Sequence, residues 1–449
     1  MRKLFGTDGI RGVAGQSPLD PKTIYAVGLA LAHQVKASNS HPRTLLGMDT
    51  RESSNRIAAV LSAGIADGGA AVENAGVITT PAIAYLARRH NFDAGVVISA
   101  SHNPWQDNGI KVFGGNGYKL PDETELRIEQ EIFRRLESVT APGSAAASAP
   151  VVDPRFRADY EDFLRTAVPN LRLDGLRLVL DCANGAASAI APELFDQLGG
   201  TIHLTHISPD GRNINADCGA LHPEVVAHET KALHADIGVT FDGDADRALF
   251  ADANGKVVNG DAVLLLAARD LQERKLLKGD VVVATTMSNM GLEAALRGDG
   301  IQMLRAPVGD KYVLERMQQE DASLGGEQSG HILFPHLATT GDGLLTALVV
   351  LDIVRRAGKP LHELVADLKV FPQVIVNVRV KEKKPLEQID TVTSTIRDAE
   401  TDLAENGRVV VRYSGTEALA RIMIEAESEA SMRHHAERIA GAIREAIGL

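Results

Sequence analysis

The chain is 449 residues long, too long for a single hydrophobic core, and its 44% hydrophobic, 24% charged and 4% aromatic content is a globular balance that excludes a disordered polymer. A net charge of -12, from 59 acidic against 47 basic residues, argues against a nonspecific binder of nucleic acid or of an anionic membrane. Any phosphate chemistry then falls to local basic pockets.

At the amino end Met1-Arg2-Lys3 is basic, but FGTDGIRG follows where a signal peptide needs an apolar core. No later run approaches the roughly 18 apolar residues of a membrane span, and the sequence predicts a cytoplasmic protein. RTLLGMDTRESS from Arg43 reads as an apolar strand that ends in small polar residues before a helix. VVISASHNPWQDNG from Val96 ends a strand in the same way: Val96, Val97 and Ile98 suit a buried strand, whereas Pro104 cannot continue one. Ser101 therefore falls at the carboxyl end of a strand, where open α/β sheets gather their ligands. Three roles are open to it: a capping hydroxyl, a hydrolase nucleophile, or a phosphorylated serine. The hydrolase role lacks a G-x-S-x-G elbow, and the side chain of the adjacent His102 is expected to project away.

One helix is predicted from about Asp122 to Glu137 and another from about Arg155 to Thr166, joined by APGSAAASAPVVDP, an Ala/Ser/Pro linker from Ala141 to Pro154. LRLVLDCANGAAS from Leu176 and DVVVATTMSNMG from Asp280 repeat the strand-then-helix plan, which predicts three similar α/β domains with helices on both sides of each sheet. The two cysteines, Cys182 and Cys218, are too few for a disulfide framework or a structural zinc site and read as small core residues in a reducing compartment.

Between two apolar strands, IGVTFDGDADRALFAD sets Asp242, Asp244 and Asp246 alternately with Gly243 and Ala245. Side chains two apart share a side in extended chain, and three carboxylates so close repel unless a cation collects them. An EF-hand is excluded, because Arg247 replaces its turn glycine and Ala253 its closing glutamate. Few hard oxygen ligands favour Mg²⁺, and Arg247 beside them favours phosphate; a solvated acidic turn is the plain alternative. LGGEQSGHILF from Leu324 places Glu327, Ser329 and His331 in a Gly-rich loop suited to a polyol, or to an ordinary turn.

The last 80 or so residues follow a different order, β-α-β-β-α, which predicts a small α+β domain. In LARIMIEAE from Leu419, Ala420, Ile422, Ile424 and Ala426 share one face while Arg421 and Glu425 take the other. RYSGTE, with Arg412, Ser414, Gly415 and Thr416, is either a phosphate clamp completed by Arg421 or an ordinary hairpin loop.

Taken together and in this order, FGTDGIRG, SASHNP, FDGDADR, GEQSGH and RYSGTE resemble the α-D-phosphohexomutase superfamily; RAPVGDKYVLERM and TTGDGLLTAL add a likeness to its bacterial phosphoglucosamine mutase branch. The resemblance implies three α/β/α domains and a smaller C-terminal α+β domain around one central cleft, with bounds of 1–150, 151–254, 255–370 and 371–449. It implies Ser101 as the phosphorylated serine, and Asp242, Asp244 and Asp246 holding one Mg²⁺ with an oxygen of that group. Arg11, Lys111, Arg247 and His331 would line the transfer site, Lys111 and His331 as candidate proton carriers. Glu327 and Ser329 would bind sugar hydroxyls, and Arg412, Ser414, Gly415, Thr416 and Arg421 the distal phosphate.

The implied reaction converts glucosamine 6-phosphate to glucosamine 1-phosphate through a 1,6-bisphosphate, which also serves as the phosphorylating activator, and feeds amino-sugar nucleotide synthesis. The partner is a small sugar phosphate, not nucleic acid or membrane, and a homodimer is compatible with this. Rival readings are a mutase for mannose or glucose phosphate and a noncatalytic sugar-phosphate sensor. Trp105 and Asn259 depart from the family's usual Tyr and Asp.

Overall fold

The structure is a computed structural model, and it describes residues 4–6, 8–139, 148–413 and 418–449. The chain divides into two compact units, Met1–Met287 with Met303–Val365, and Ser288–Gln302 with Ala366–Leu449.

The first unit carries two large sheets and one short one. In the first sheet the spatial order is Phe5–Gly6, Gly9–Val13, Asp107–Gly114, Ala94–Ile98, Arg43–Met48 and Ala71–Val77. Arg43–Met48 runs parallel to both of its neighbours, while Asp107–Gly114 lies antiparallel to Ala94–Ile98. Every residue of Ala94–Ile98 is buried, as its apolar run predicts for a central strand covered on both faces. One covering helix, Pro21–Lys36, is started by Asp20, whose carboxylate accepts from the Lys22 and Thr23 amides, with Pro21 in the first turn.

In the second sheet Arg177–Asp181 pairs in parallel with Thr201–Thr205 and Ile237–Phe241, and Ile237–Phe241 pairs antiparallel with Ala248–Asp252. In the short sheet Val281–Thr285 is parallel to Gly325–Gly326, which pairs antiparallel with Ile332–Leu333. Asn259, one of the two departures from the family pattern, caps the helix Gly260–Glu273 by accepting from the Ala262 amide.

The second unit contains a three-stranded antiparallel sheet with Leu419–Ala426 between Gln373–Arg379 and Gly407–Tyr413, backed by Asp390–Leu403 and Glu429–Ile447. Ala420, Ile422, Ile424 and Ala426 are all buried, as the alternation predicts. Glu425 is a correction: it was expected on the polar face but is buried too, because Arg408 Nε donates to it at 2.6 Å.

The two helices flanking the linker form at Asp122–Leu136 and Arg155–Ala167. The linker itself lies partly outside the described residues, and its last part is not the free tether its composition predicts. Asn74 binds both ends of that part, donating to the Pro150 carbonyl and accepting from the Asp153 amide. Among the described residues no helix is long and apolar enough to cross a membrane.

Candidate active site

Ser101 follows directly from the buried strand Ala94–Ile98 and sits at φ +54°, in the left-handed region where few residues other than glycine rest. Its amide donates to Ser99 Oγ, and its hydroxyl donates to Asp242 Oδ2 at 2.6 Å. His102 corrects the expectation that it projects away: its Nδ1 lies 3.2 Å from Ser101 Oγ. The left-handed residue between strand and turn brings both side chains to one side. Burial, then the charges of Arg247 and Arg11, lower the His102 pKa, so its imidazole is favoured neutral.

Asp242, Asp244 and Asp246 are all buried, with one carboxylate oxygen from each within 4.8 Å of the others. They do so through a turn and not through the extended alternation the sequence suggested. The Ala245 amide closes on the Asp242 carbonyl, and Ala245 itself sits at φ +55°. Gly243 is required for a reason the pattern did not contain, since a Cβ there would lie 2.6 Å from the Ser101 carbonyl oxygen.

Lys111 donates to Asp244 Oδ2 and also approaches Asp8 Oδ2, each at 2.8 Å. Burial works against its charge, but Asp244, Asp8 and Asp246 outweigh burial and raise its pKa well above the ordinary lysine value. It is therefore a cation in this arrangement. Burial likewise opposes the charge of His331, yet Asp246, Asp310 and Glu327 raise its pKa. Its Nδ1 is 3.7 Å from Asp246 Oδ1, and its Nε2 accepts from the Gly341 amide at 3.2 Å. A Cβ on Gly341 would strike the imidazole at 2.4 Å, which accounts for the glycine in TTGDG.

A cavity of about 390 Å³ is bordered by Arg11, Asp246, Arg247, Glu327 and His331 from the expected set. Three further residues reach it that were not singled out: Asp8, Lys119 and Asp310. Lys119 bridges them, at 2.6 Å to Asp8 and 2.5 Å to Asp310. They come from three distant segments, so no local spacing could have announced them. Glu327 accepts from the Gly309 amide at 3.0 Å and from Ser329 Oγ at 3.3 Å, which brings the two expected sugar ligands together.

In the second unit Arg412 and Arg421 stand directly opposite each other on paired strands. Two like charges in that register are unfavourable unless an anion lies between them. Among the described residues, Arg421 Nε donates to Asn377 and neither guanidinium meets a carboxylate. Ser414, Gly415 and Thr416 lie outside the described residues.

What holds the Ser101 turn in place is Arg51, a residue that sequence reasoning passed over. Its side chain is fully buried, pairs with Asp49 at 2.8 Å, and donates to the carbonyls of Ser101, Asn103, Pro104 and Asp107. The only hint was an Asp and an Arg two apart at a strand's end. Arg51→Ala leaves the buried Asp49 carboxylate without its cation and takes one donor from each of four carbonyls, of which those of Ser101 and Asn103 keep Asn215, and should cost about 3 to 5 kcal/mol. The expected readout is a lowered thermal unfolding midpoint, only partly restored in Arg51→Lys, which recovers the charge without the fork of donors.

The aspartate cluster fits a hard cation. Asp244 Oδ1 and Asp246 Oδ1 are buried and make no hydrogen bond. Burial, then Asp246 and Asp244, push the Asp242 pKa well above the ordinary carboxylate value, while against burial Lys111, His331 and Arg247 hold that of Asp246 well below it. Arg247 Nε, also buried without a hydrogen-bond partner, borders the same cavity and is a donor suited to an anion.

Four family models match this chain: Phosphoglucomutase/phosphomannomutase alpha/beta/alpha domain I over residues 2–138, domain II over 158–255, domain III over 259–371, and the C-terminal domain over 375–442. Fold and domain series thus define a four-domain phosphohexomutase. A phosphoglucosamine mutase of Koribacter versatilis is 59% identical over 455 residues, covering 100% of this chain and 98% of the relative. The chain belongs to the phosphoglucosamine mutase family, a family of isomerases.

Two solved structures share the fold. A phosphoglucomutase/phosphomannomutase family protein of Burkholderia thailandensis is 24% identical with a TM-score of 0.79 over 99% of both chains. An N-acetylphosphoglucosamine mutase of Aspergillus fumigatus, crystallised with GlcNAc-6P and magnesium, is 18% identical with a TM-score of 0.62, covering 99% of this chain and 96% of the other.

Proposed function

We propose that this protein interconverts glucosamine 6-phosphate and glucosamine 1-phosphate, with Ser101 carrying the phosphoryl group between substrate and product. The observation that carries the reading is the 2.6 Å contact of Ser101 Oγ with Asp242, inside a buried three-carboxylate cluster beside a 390 Å³ cavity that also holds Arg247 and Glu327. A sensor would have no use for a nucleophile there. The name of the 59% identical relative supports the choice of sugar over mannose or glucose phosphate.

In the first half reaction the bond from phosphorus to Ser101 Oγ breaks as one forms to the sugar's 1-oxygen. His331, which borders the cavity, is the candidate to accept the hydroxyl proton, the role the resemblance implies. In the second half reaction the bond from phosphorus to the sugar's 6-oxygen breaks as one forms to Ser101 Oγ; His102 Nδ1, 3.2 Å from that oxygen, takes the serine proton, and the 6-oxygen regains a proton and leaves as the hydroxyl of glucosamine 1-phosphate. Asp242, Asp244 and Asp246 would hold Mg²⁺, which supplies neutralisation of charge developing on the transferred group. Lys111 enters as a cation beside the aspartates and, with His331, as a candidate proton carrier. Arg11 and Arg247 bind the transferred phosphoryl group, and Glu327 and Ser329 orient sugar hydroxyls.

The 1,6-bisphosphate primes unphosphorylated enzyme. Bounds near 150, 254 and 370 separate the four domains, and a cytoplasmic setting is supported by two free, buried cysteines. The experiment for substrate choice compares kcat/KM on the 6-phosphates of glucosamine, glucose and mannose. Glucosamine 6-phosphate should be preferred, and a clear preference for either of the others overturns the assignment.

Arg412 and Arg421 enter the proposal as a clamp for the distal phosphate. A guanidinium–phosphate contact contributes about 1.5 to 3 kcal/mol, so Arg421→Ala should raise KM for glucosamine 6-phosphate about 10-fold or more. Phosphorylation of Ser101 by excess bisphosphate should persist in that variant. An unchanged KM makes the loop a structural hairpin.

A further inference from the structure

A second cluster of ligand-bearing side chains lies one strand away from the aspartate turn, apart from the groups assigned to phosphoryl transfer. Arg177–Asp181 and Thr201–Thr205 run in parallel and end side by side, with Asp181 opposite Thr205. The turns beyond them, with the segment before Gly219–Leu221, gather Asp181, His206 and Cys218. One oxygen, one ring nitrogen and one sulfur from these three lie within 4.8 Å of one another. Asp181 and Cys218 are buried, His206 is partly exposed, and the thiol of Cys218 is free.

This mixture of oxygen, nitrogen and sulfur is unsuited to Mg²⁺, which takes oxygen ligands. It matches a borderline-soft ion that accepts three protein ligands and leaves a fourth position for water. We propose that Asp181, His206 and Cys218 form a binding site for a divalent cation of the Zn²⁺ class, separate from the three-aspartate cluster.

His206 Nδ1 and Asp181 Oδ1 form a hydrogen-bonded pair at 3.1 Å, close to the roughly 3.3 Å that separates two ligands each about 2.0 Å from a tetrahedral ion, so an ion would take the place of the shared proton. The carboxylate is already oriented, as ligating carboxylates are: Oδ1 accepts from the Ala183 amide, and Oδ2 from the Gly219 amide and Thr240 Oγ1. Thr205 Oγ1 also lies 3.1 Å from His206 Nδ1. Loading displaces the Cys218 thiol proton to the buffer, along with any proton on His206 Nδ1.

Co²⁺ is the probe, added to the full-length protein in saturating Mg²⁺. One equivalent should bring the near-ultraviolet absorption of a thiolate–cobalt bond and the visible bands of a tetrahedral ion, and Zn²⁺ should abolish both. Cys218→Ser should lose the thiolate band, and His206→Gln should weaken Co²⁺ binding at least 10-fold. Both variants should keep the Mg²⁺-dependent turnover of the parent. No thiolate band in the parent protein, or a band that survives Cys218→Ser, overturns the proposal. The outcome is independent of which sugar phosphate the enzyme prefers.

Discussion

Ser101→Ala is expected to abolish mutase turnover, by about 10⁴-fold or more, while sugar-phosphate binding persists. The carrier of the phosphoryl group is the hydroxyl oxygen itself, and among the described residues the other hydroxyl that donates to these aspartates, Thr80 Oγ1, binds Asp244 from the start of a helix and does not border the cavity. The substitution should not unfold the protein. Arg51 and Asn215 hold this turn through the Ser101 carbonyl, which alanine retains. The backbone already tolerates φ +54° in a residue with a Cβ. Turnover is measured on glucosamine 6-phosphate with the unfolding midpoint recorded alongside. Parental activity in a folded Ser101→Ala protein removes the serine from the mechanism.

The second large effect is expected at the aspartates. Asp242→Asn, Asp244→Asn and Asp246→Asn should each raise the Mg²⁺ concentration needed for half-maximal activity roughly 10- to 100-fold, the range of one charged contact of about 1.5 to 3 kcal/mol. Asp244→Asn should be the most damaging of the three. Asp244 Oδ2 also receives Lys111 and Thr80, so its loss leaves the buried ammonium dependent on Asp8 and on Asp246, 3.5 Å away. Removal of metal with EDTA should stop the parent enzyme, and added Mg²⁺ should restore it. Normal turnover in metal-free protein contradicts the role given to the cluster.

Residues that share a short segment were legible before any coordinates. Ser101 could be placed because an apolar run meets a proline, the aspartates because three carboxylates within five residues repel, and Glu327 with Ser329 because they alternate with glycines. The manner of assembly was less legible. Alternation suggested an extended aspartate segment, but the positive φ of Ala245 makes it a turn, and a left-handed Ser101 overrides the rule that adjacent side chains diverge. The ion-pair chain of Asp8, Lys119 and Asp310 depends on contacts between residues up to 191 positions apart, which no window of sequence contains. Counting cysteines dismissed Cys218, because a mixed site needs only one sulfur beside a histidine and a carboxylate brought together by parallel strands.

The phosphoryl group itself can be followed through one turnover. The protein is incubated with glucosamine 1,6-bisphosphate and Mg²⁺, freed of ligand, and its intact mass and phosphopeptide are determined before and after a chase with glucosamine 6-phosphate. One added phosphoryl group, mapped to Ser101, is expected, and it leaves on the chase as the bisphosphate appears in stoichiometric amount. A phosphoryl group on another residue, or one on Ser101 that survives the chase while the enzyme turns over, would contradict it.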